Sequence, residues 1–356
     1  MEIIPGIFQL QIPLPFTPIG DMAIGESLSQ TNVYLIEGKT GWLLVDAGWN
    51  APGNLEIFES GLREAGIGIR DISRIIVTHS HLDHFGMAGK IKELSGAQLF
   101  LHRQEKRFIE PGGMHATAVM ESMRGWLQKN GVPVEETAKL QKLPEKEMRF
   151  LSPVFPDAVF YPGQVGIPDG YLSGGEVIDT GLFAFEALWT PGHSPGHLCL
   201  HEPAKKLLLS GDHVLAGITP EIGLNPFSGL NPLDDYIHSL KTLKHLAVEL
   251  VLPAHENSFS DLGGRIDELL SHHEERKNAV LDVLRNGPAD GWNIAQDVPW
   301  MPSREGNNWE KLDHWGHRMA LMETLAHLSL LEKEGKVGRM EKEGRELYVV
   351  LNNAGT

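Results

Sequence analysis

Apolar positions along this chain follow two rhythms that alternate from segment to segment. Runs rich in β-branched and aliphatic residues at Gly6–Leu10, Thr31–Ile36 and Trp42–Asp46 predict short strands. The last of these follows a turn at Glu37-Gly38-Lys39-Thr40-Gly41 and ends on a carboxylate. Residues 54–65 switch to helical spacing, marked by Leu55, Ile57, Phe58 and Leu62. Arg74–Val77 is almost wholly apolar, as expected of a strand covered on both faces. Further strands are predicted at Leu182–Leu188, Lys206–Ser210 and Leu250–Pro253, with a helix over Asp234–His245. Strands in each half with helices outside them predict a layered α/β architecture.

Residues 103–175 break this order. Two helical stretches, His115–Lys129 and Glu135–Lys142, precede a passage through Pro153, Pro156, Pro162, Gly163, Pro168 and Gly170. An insertion between two strand-rich halves is expected to form a lid or a substrate wall. Asp261-Leu262-Gly263-Gly264 marks the expected boundary between a domain over 1–262 and a second over 263–356. The second begins with an amphipathic helix over Arg265–Leu284 and a Gly-, Pro- and Trp-rich loop over Gly287–Asn308. A helix over Trp315–Glu334 and a hairpin over Gly338–Leu351 come next, which is the order of a winged-helix-like module.

A length of 356 residues fits one large and one smaller domain, and 41% apolar against 22% charged residues suffices for a sizeable core. The net charge of −16 argues against a broad electrostatic grip on nucleic acid or anionic lipid. Cys199 is the sole cysteine, which excludes an intramolecular disulfide and a thiolate metal cluster and fits a reducing compartment. The N-terminus lacks the basic start and apolar run of a signal peptide. No stretch approaches the roughly 20 apolar residues of a membrane span. The expectation is a cytoplasmic protein without a membrane anchor.

The chemistry concentrates in Thr78-His79-Ser80-His81-Leu82-Asp83-His84, directly after the apolar run. Four imidazole or carboxylate donors within six residues are the ligand types of a hydrolytic zinc site. Side chains two apart converge on one ion, while Asp83 and His84 can turn toward a second. Three more donors each come after a strand-like run. They are His193 in Thr190-Pro191-Gly192-His193, Asp212 in Ser210-Gly211-Asp212-His213, and His255 in Pro253-Ala254-His255. Strand C-termini are where α/β sheets gather active-site residues. A single histidine after a strand is more often a surface or hydrogen-bonded residue, so the inference rests on the combination.

Together these motifs resemble the metallo-β-lactamase superfamily over roughly residues 1–260. The resemblance implies a four-layer αββα fold and a hydrolase with two divalent ions, zinc first, manganese or iron as substitutes. It further implies that His79, His81 and His193 hold one ion, that Asp83, His84 and His255 hold the other, and that Asp212 bridges them. Asp46 would support the site from behind, and Asp83 would orient a bridging hydroxide and move a proton to the leaving group. Two positions depart from the family pattern. Phe85-Gly86 replaces a usual glycine pair and is expected to narrow the loop; Ala254-His255-Glu256 stands where Gly-His-Gly is common. Asp212 is similar to the glyoxalase-II, lactonase and phosphodiesterase side of the family rather than to true β-lactamases.

The expected substrate is a small or medium ester, thioester or lactone. Tyr161 and Tyr171 are candidate substrate-binding phenols able to donate to a developing oxyanion. The alternative is an endoribonuclease or phosphodiesterase. The segments Asp313–Arg318, Thr324–Leu328 and Lys336–Arg339 resemble the tail of some RNA-cutting relatives. From Asp261 onward, however, 17 acidic residues outnumber 12 basic ones. Glu341, Glu343 and Glu346 also alternate with Lys342 and Arg345 on the expected wing. A packing or homodimerisation role for this module is the favoured expectation.

Overall fold

A computed structural model of the chain describes residues 1–15, 29–109, 116–141, 166–300 and 309–351, with backbone alone at 116–120. Tyr161 and most of the Pro/Gly-rich passage lie outside the described residues. Strands β1 (Glu2–Ile4), β2 (Ile7–Pro13), β3 (Gln30–Ile36), β4 (Trp42–Val45), β5 (Ile72–Ile76), β6 (Gln98–His102) and β7 (Gly170–Leu172) form one sheet in chain order. Pairing is antiparallel from β1 to β4 and parallel from β4 to β7. A second sheet has the order β12-β11-β10-β9-β8 and is built from β8 (Val177–Asp179), β9 (Ala184–Trp189), β10 (Leu198–Glu202), β11 (Leu207–Gly211) and β12 (Leu250–Pro253).

The period-two alternation of strand side chains decides what each sheet face meets. On β3, Tyr34 and Ile36 join Val45 and Ile76 in a core shared with Phe185, Leu198, Leu200, Leu209 and Leu252 of the second sheet. Their neighbours Val33 and Leu35 point the other way. There they pack with Leu44, Ile75 and residues of the helices Asn54–Glu64 and Ala88–Ser95, chiefly Phe58, Leu62 and Ile91. The apolar run at 74–77 divides likewise, Ile75 toward the helices and Ile76 toward the other sheet. Each fully buried aliphatic side chain contributes about 1.5–3 kcal/mol through removal from water.

The described residues fall into two compact units. The first is drawn from 1–115, 146–220 and 239–266, and the second from 116–145, 221–238 and 267–356. The second unit contains the helices Ala116–Lys129, Val134–Leu140, Gly291–Asp297 and His314–Lys333, most of the helix Leu262–Leu284, and a small sheet. That sheet pairs β13 (Ala289–Asp290) with β15 (Arg345–Val350), and β15 with β14 (Val337–Lys342). Leu127 and Leu140 share its core with Val280, Leu284, Ile294, Leu325, Leu328 and Tyr348. The two helices expected to belong to an insertion are therefore built into the same core as the C-terminal helices.

The loop expected over 287–308 contains β13 and the helix Gly291–Asp297, whose start is capped by Asp290 accepting from the Asn293 amide at 2.9 Å. Seven residues are too few for a helical period to stand out, so the cap is the local signal. No helix among the described residues is long and apolar enough to cross a membrane.

Candidate metal centre

The parallel strand β5 ends at Ile76, and the chain is extended at His81 (φ −61°, ψ 148°) before turning into the short helix Leu82–Phe85. This change of backbone state separates the donors. His79 and His81 precede the turn together, while the helical advance of about 100° per residue turns Asp83 and His84 elsewhere. Gly86 closes the turn: a Cβ there would sit 2.3 Å from the Leu82 carbonyl oxygen and 2.8 Å from the Asn50 nitrogen. Phe85, of the Phe85-Gly86 pair, is fully buried in the helix-side core.

Seven side chains meet at the ends of β5, β9, β11 and β12 in two sets. In the first, His81 Nδ1 lies 2.8 Å from His79 Nε2 and 3.0 Å from His193 Nε2. In the second, Asp83 Oδ2 is 3.4 Å from His84 Nε2 and 3.2 Å from His255 Nε2. Asp212 reaches both. Its Oδ2 is 3.5 Å from His193 Nε2 and 3.3 Å from His84 Nε2, and its Oδ1 is 3.4 Å from His255 Nε2.

This donor set fits divalent ions. Metal–donor lengths of ~2.0–2.1 Å in a tetrahedral site place donors about 3.4 Å apart. The second set already has that spacing, and the first is somewhat tighter. His84 Nε2 and Asp212 Oδ1 are buried without a hydrogen-bond partner among the described residues, although both are strong polar groups. A cation between these donors answers both atoms.

A surrounding shell fixes which nitrogen each imidazole offers. His84 Nδ1 donates to Asp46 Oδ2 at 2.9 Å, and His255 Nδ1 donates to the Gln30 carbonyl at 2.8 Å, so both present Nε2 to the centre. Asp46 also accepts from the Thr78 amide at 2.7 Å and from its hydroxyl at 3.0 Å. It does so at a left-handed φ of 59°, which Asp tolerates better than most residues.

Two further residues that sequence reasoning passed over hold the ligand loops. The buried Glu105 carboxylate accepts from the amide and hydroxyl of Ser80, from the Ser194 hydroxyl at 2.9 Å and from the Gly196 amide at 2.6 Å. It thereby ties the loop of His79 and His81 to the loop of His193. His197, also buried, bonds through Nδ1 to the Thr190 hydroxyl at 2.8 Å, and its Nε2 accepts from the Asp212 amide at 3.1 Å. A Cβ at Gly211 would stand 2.6 Å from that Nε2, so the Gly-Asp pair is set by close approach as well as by chemistry.

Electrostatics distinguishes the two sets. Burial, reinforced by the neighbouring His84, His81 and His193, drives His79 well below the usual histidine range, and burial also lowers His81. Both shifts favour the neutral imidazole, the form whose lone pair can meet a cation. In the second set burial opposes every charge, but the pairs outweigh it. Asp212 and Asp83 raise His84 well above its ordinary value and push His255 up to about 10. The same histidines hold both carboxylates far below theirs.

All seven expected ligands thus converge. Tyr171 lies on β7 opposite Leu101 and packs with the helix-side core, with Lys106 Nζ 5.6 Å from its ring centre.

Comparison with known proteins agrees with this geometry. The family model described as the metallo-β-lactamase superfamily matches residues 27–255. A probable metallo-hydrolase of Bacillus subtilis (strain 168) is 25% identical over 337 residues, covering 92% of each chain. The solved structure of a metallo-β-lactamase family protein from Thermus thermophilus superposes with a TM-score of 0.74 at 28% identity. It covers 98% of this chain and 100% of that one. A human acyl-coenzyme A thioesterase is 28% identical over 243 residues, 66% of this chain and 76% of its own.

Proposed function

The chain belongs to the metallo-β-lactamase superfamily and is a metal-dependent hydrolase, and on that footing we propose that it works with two ions and cleaves an acyl bond. The substrate class is a small or medium thioester, ester or lactone. The observation that carries the two-ion reading is Asp212, whose one carboxylate stands within 3.5 Å of donors from both sets. The preference for a thioester is supported by the relative named as an acyl-coenzyme A thioesterase.

His79, His81 and His193 would hold one ion, Asp83, His84 and His255 the other, with Asp212 shared. Nitrogen and oxygen donors of this kind accept zinc, manganese or iron. Two divalent ions, when bound, polarise the acyl carbonyl and lower the pKa of water toward neutrality. The protein's own part is positional and protonic. Asp83, at 20% side-chain exposure the more open of the two carboxylates against 10% for Asp212, orients the attacking water. It helps pass the proton that this water releases to the departing thiolate or alkoxide. Asp46 and the Gln30 carbonyl keep His84 and His255 in the required tautomer throughout.

A phosphodiester or RNA substrate is less well supported. On the C-terminal hairpin the Arg339 guanidinium lies between Glu332 and Glu346, and Lys129 also meets Glu346 at 2.9 Å. Cations already answered in this way add little to a phosphate grip. The deciding experiment is metal analysis of the purified protein coupled to a panel of thioester, lactone, simple ester, phosphodiester and RNA substrates. Two equivalents of metal with thioester or other acyl turnover is expected. One equivalent per chain, or turnover confined to phosphodiesters, would overturn the reading.

A further inference from the structure

Position 256, directly after the ligand His255, carries a glutamate in a left-handed conformation (φ 65°). That conformation is uncommon for a residue with a side chain and costs roughly 1 kcal/mol, a cost that a glycine avoids. The strain is matched by what the carboxylate does. Glu256 Oε2 accepts from the amides of Gly217 at 2.7 Å and Ile218 at 3.2 Å. Those amides lie in the loop that leaves the shared ligand Asp212.

The same loop is gripped from its carbonyl side. Arg265 donates from Nε to the Leu215 carbonyl at 2.7 Å, and from Nη2 to the carbonyls of Gly217 at 3.1 Å and Ile218 at 2.7 Å. An anion on the amides and a cation on the carbonyls hold residues 215–218 by both ends of their peptide dipoles. The other end of the clamp is equally fixed. Asn32 Nδ2 donates to the carbonyls of Pro253 at 3.0 Å and Glu256 at 2.8 Å, and the Tyr34 hydroxyl donates to the Pro253 carbonyl at 2.7 Å.

We propose that Glu256 is a positioning residue that sets the distance between Asp212 and His255, and so tunes the affinity of the second metal position. The inference rests on the two-ion reading. Glu256 belongs to neither donor set; it acts through the loop of Asp212 and the backbone beside His255. Residues that orient ligands in this indirect way change metal affinity by about 10–100-fold when removed.

The test is zinc titration of the full metal-free chain against a chromophoric chelator, in the wild type and in Glu256→Gly, Glu256→Ala and Glu256→Gln. Glycine separates the two effects, since it relieves the left-handed strain while deleting the carboxylate. In Glu256→Gly and Glu256→Ala the affinity for the second equivalent is expected to fall about 10-fold, and by more than the affinity for the first falls. Glu256→Gln, which keeps an acceptor for the amides, is expected to restore most of it. The metal-free melting temperature of Glu256→Gly should stay level or rise. A second equivalent that binds Glu256→Gly as tightly as wild type overturns the clamp while leaving two ions in place. Parallel loss of both equivalents together with a lowered melting temperature overturns it in favour of a general folding role. Wild-type binding of a single equivalent overturns the two-ion reading and this inference with it.

Discussion

Asp46 and His84 meet at 2.9 Å across 38 positions of sequence, and both are buried. The carboxylate fixes the proton on His84 Nδ1 and aims Nε2 at the second set of donors. Replacing it by asparagine keeps the shape and the tolerance for left-handed backbone but removes the charge. Asp46→Asn is expected to weaken metal binding at these donors by about 10-fold or more, measurable by chelator competition.

Asp83 and His81 each belong to only one set. Asp83→Ala and His81→Ala are expected to abolish hydrolysis, while circular dichroism and melting temperature stay close to wild type. Near-native turnover in either variant would remove that residue from the assignment.

Glu105 answers four donors from two loops in a buried position. Unlike the candidate metal donors, it should matter for stability before metal is added. Glu105→Ala is expected to lower unfolding free energy by about 3 kcal/mol, since buried donors left without an acceptor cost ~1–3 kcal/mol. Urea denaturation of the metal-free protein measures this.

In the second unit, His273 Nδ1 and His327 Nε2 face each other at 3.2 Å, both buried. Burial pushes His327 down to about 4 and His273 well below its ordinary value. The unfolded chain therefore binds protons that the folded chain refuses. Stability from this pair is complete above about pH 6.5 and is lost as pH falls toward 4. A fall from 6.5 to about 4 at His327 corresponds to about 3 kcal/mol. Denaturation at pH 7 and pH 5 should show the decline, and His327→Asn should flatten it. An unchanged slope in the variant would refute the cause.

Cys199 is fully buried on β10, and burial raises its thiol to about 12. The native protein is expected to resist iodoacetamide at pH 8, with one equivalent reacting after denaturation. Mass spectrometry of the two samples distinguishes them.

Much of the site is legible along the chain because donor chemistry and strand ends are local properties. The apolar run at 74–77 marks β5, and the dense His/Asp cluster after it can be read without any fold. The helices His314–Lys333 and Asn54–Glu64 stand out by period. Strands β6 and β10 escape such a reading because five residues of mixed character give too short a pattern. Glu105 and His197 carry no local sign of their roles, since Glu105 bonds Ser80 from 25 positions away and Gly196 from 91.

The sequence by itself determined the kinds of candidate donor, their order, and their clustering directly after an apolar strand. Tertiary structure alone decided that Asp212 faces both sets and which ring nitrogen each shell-bonded histidine presents. It alone placed Leu127 and Leu140 in a core with Leu325 and Tyr348. The reason is physical: donor type and backbone preference belong to single residues and their neighbours. Convergence, tautomer and shared core depend on contacts between segments far apart in the chain, whose free energy exists only once those segments have packed.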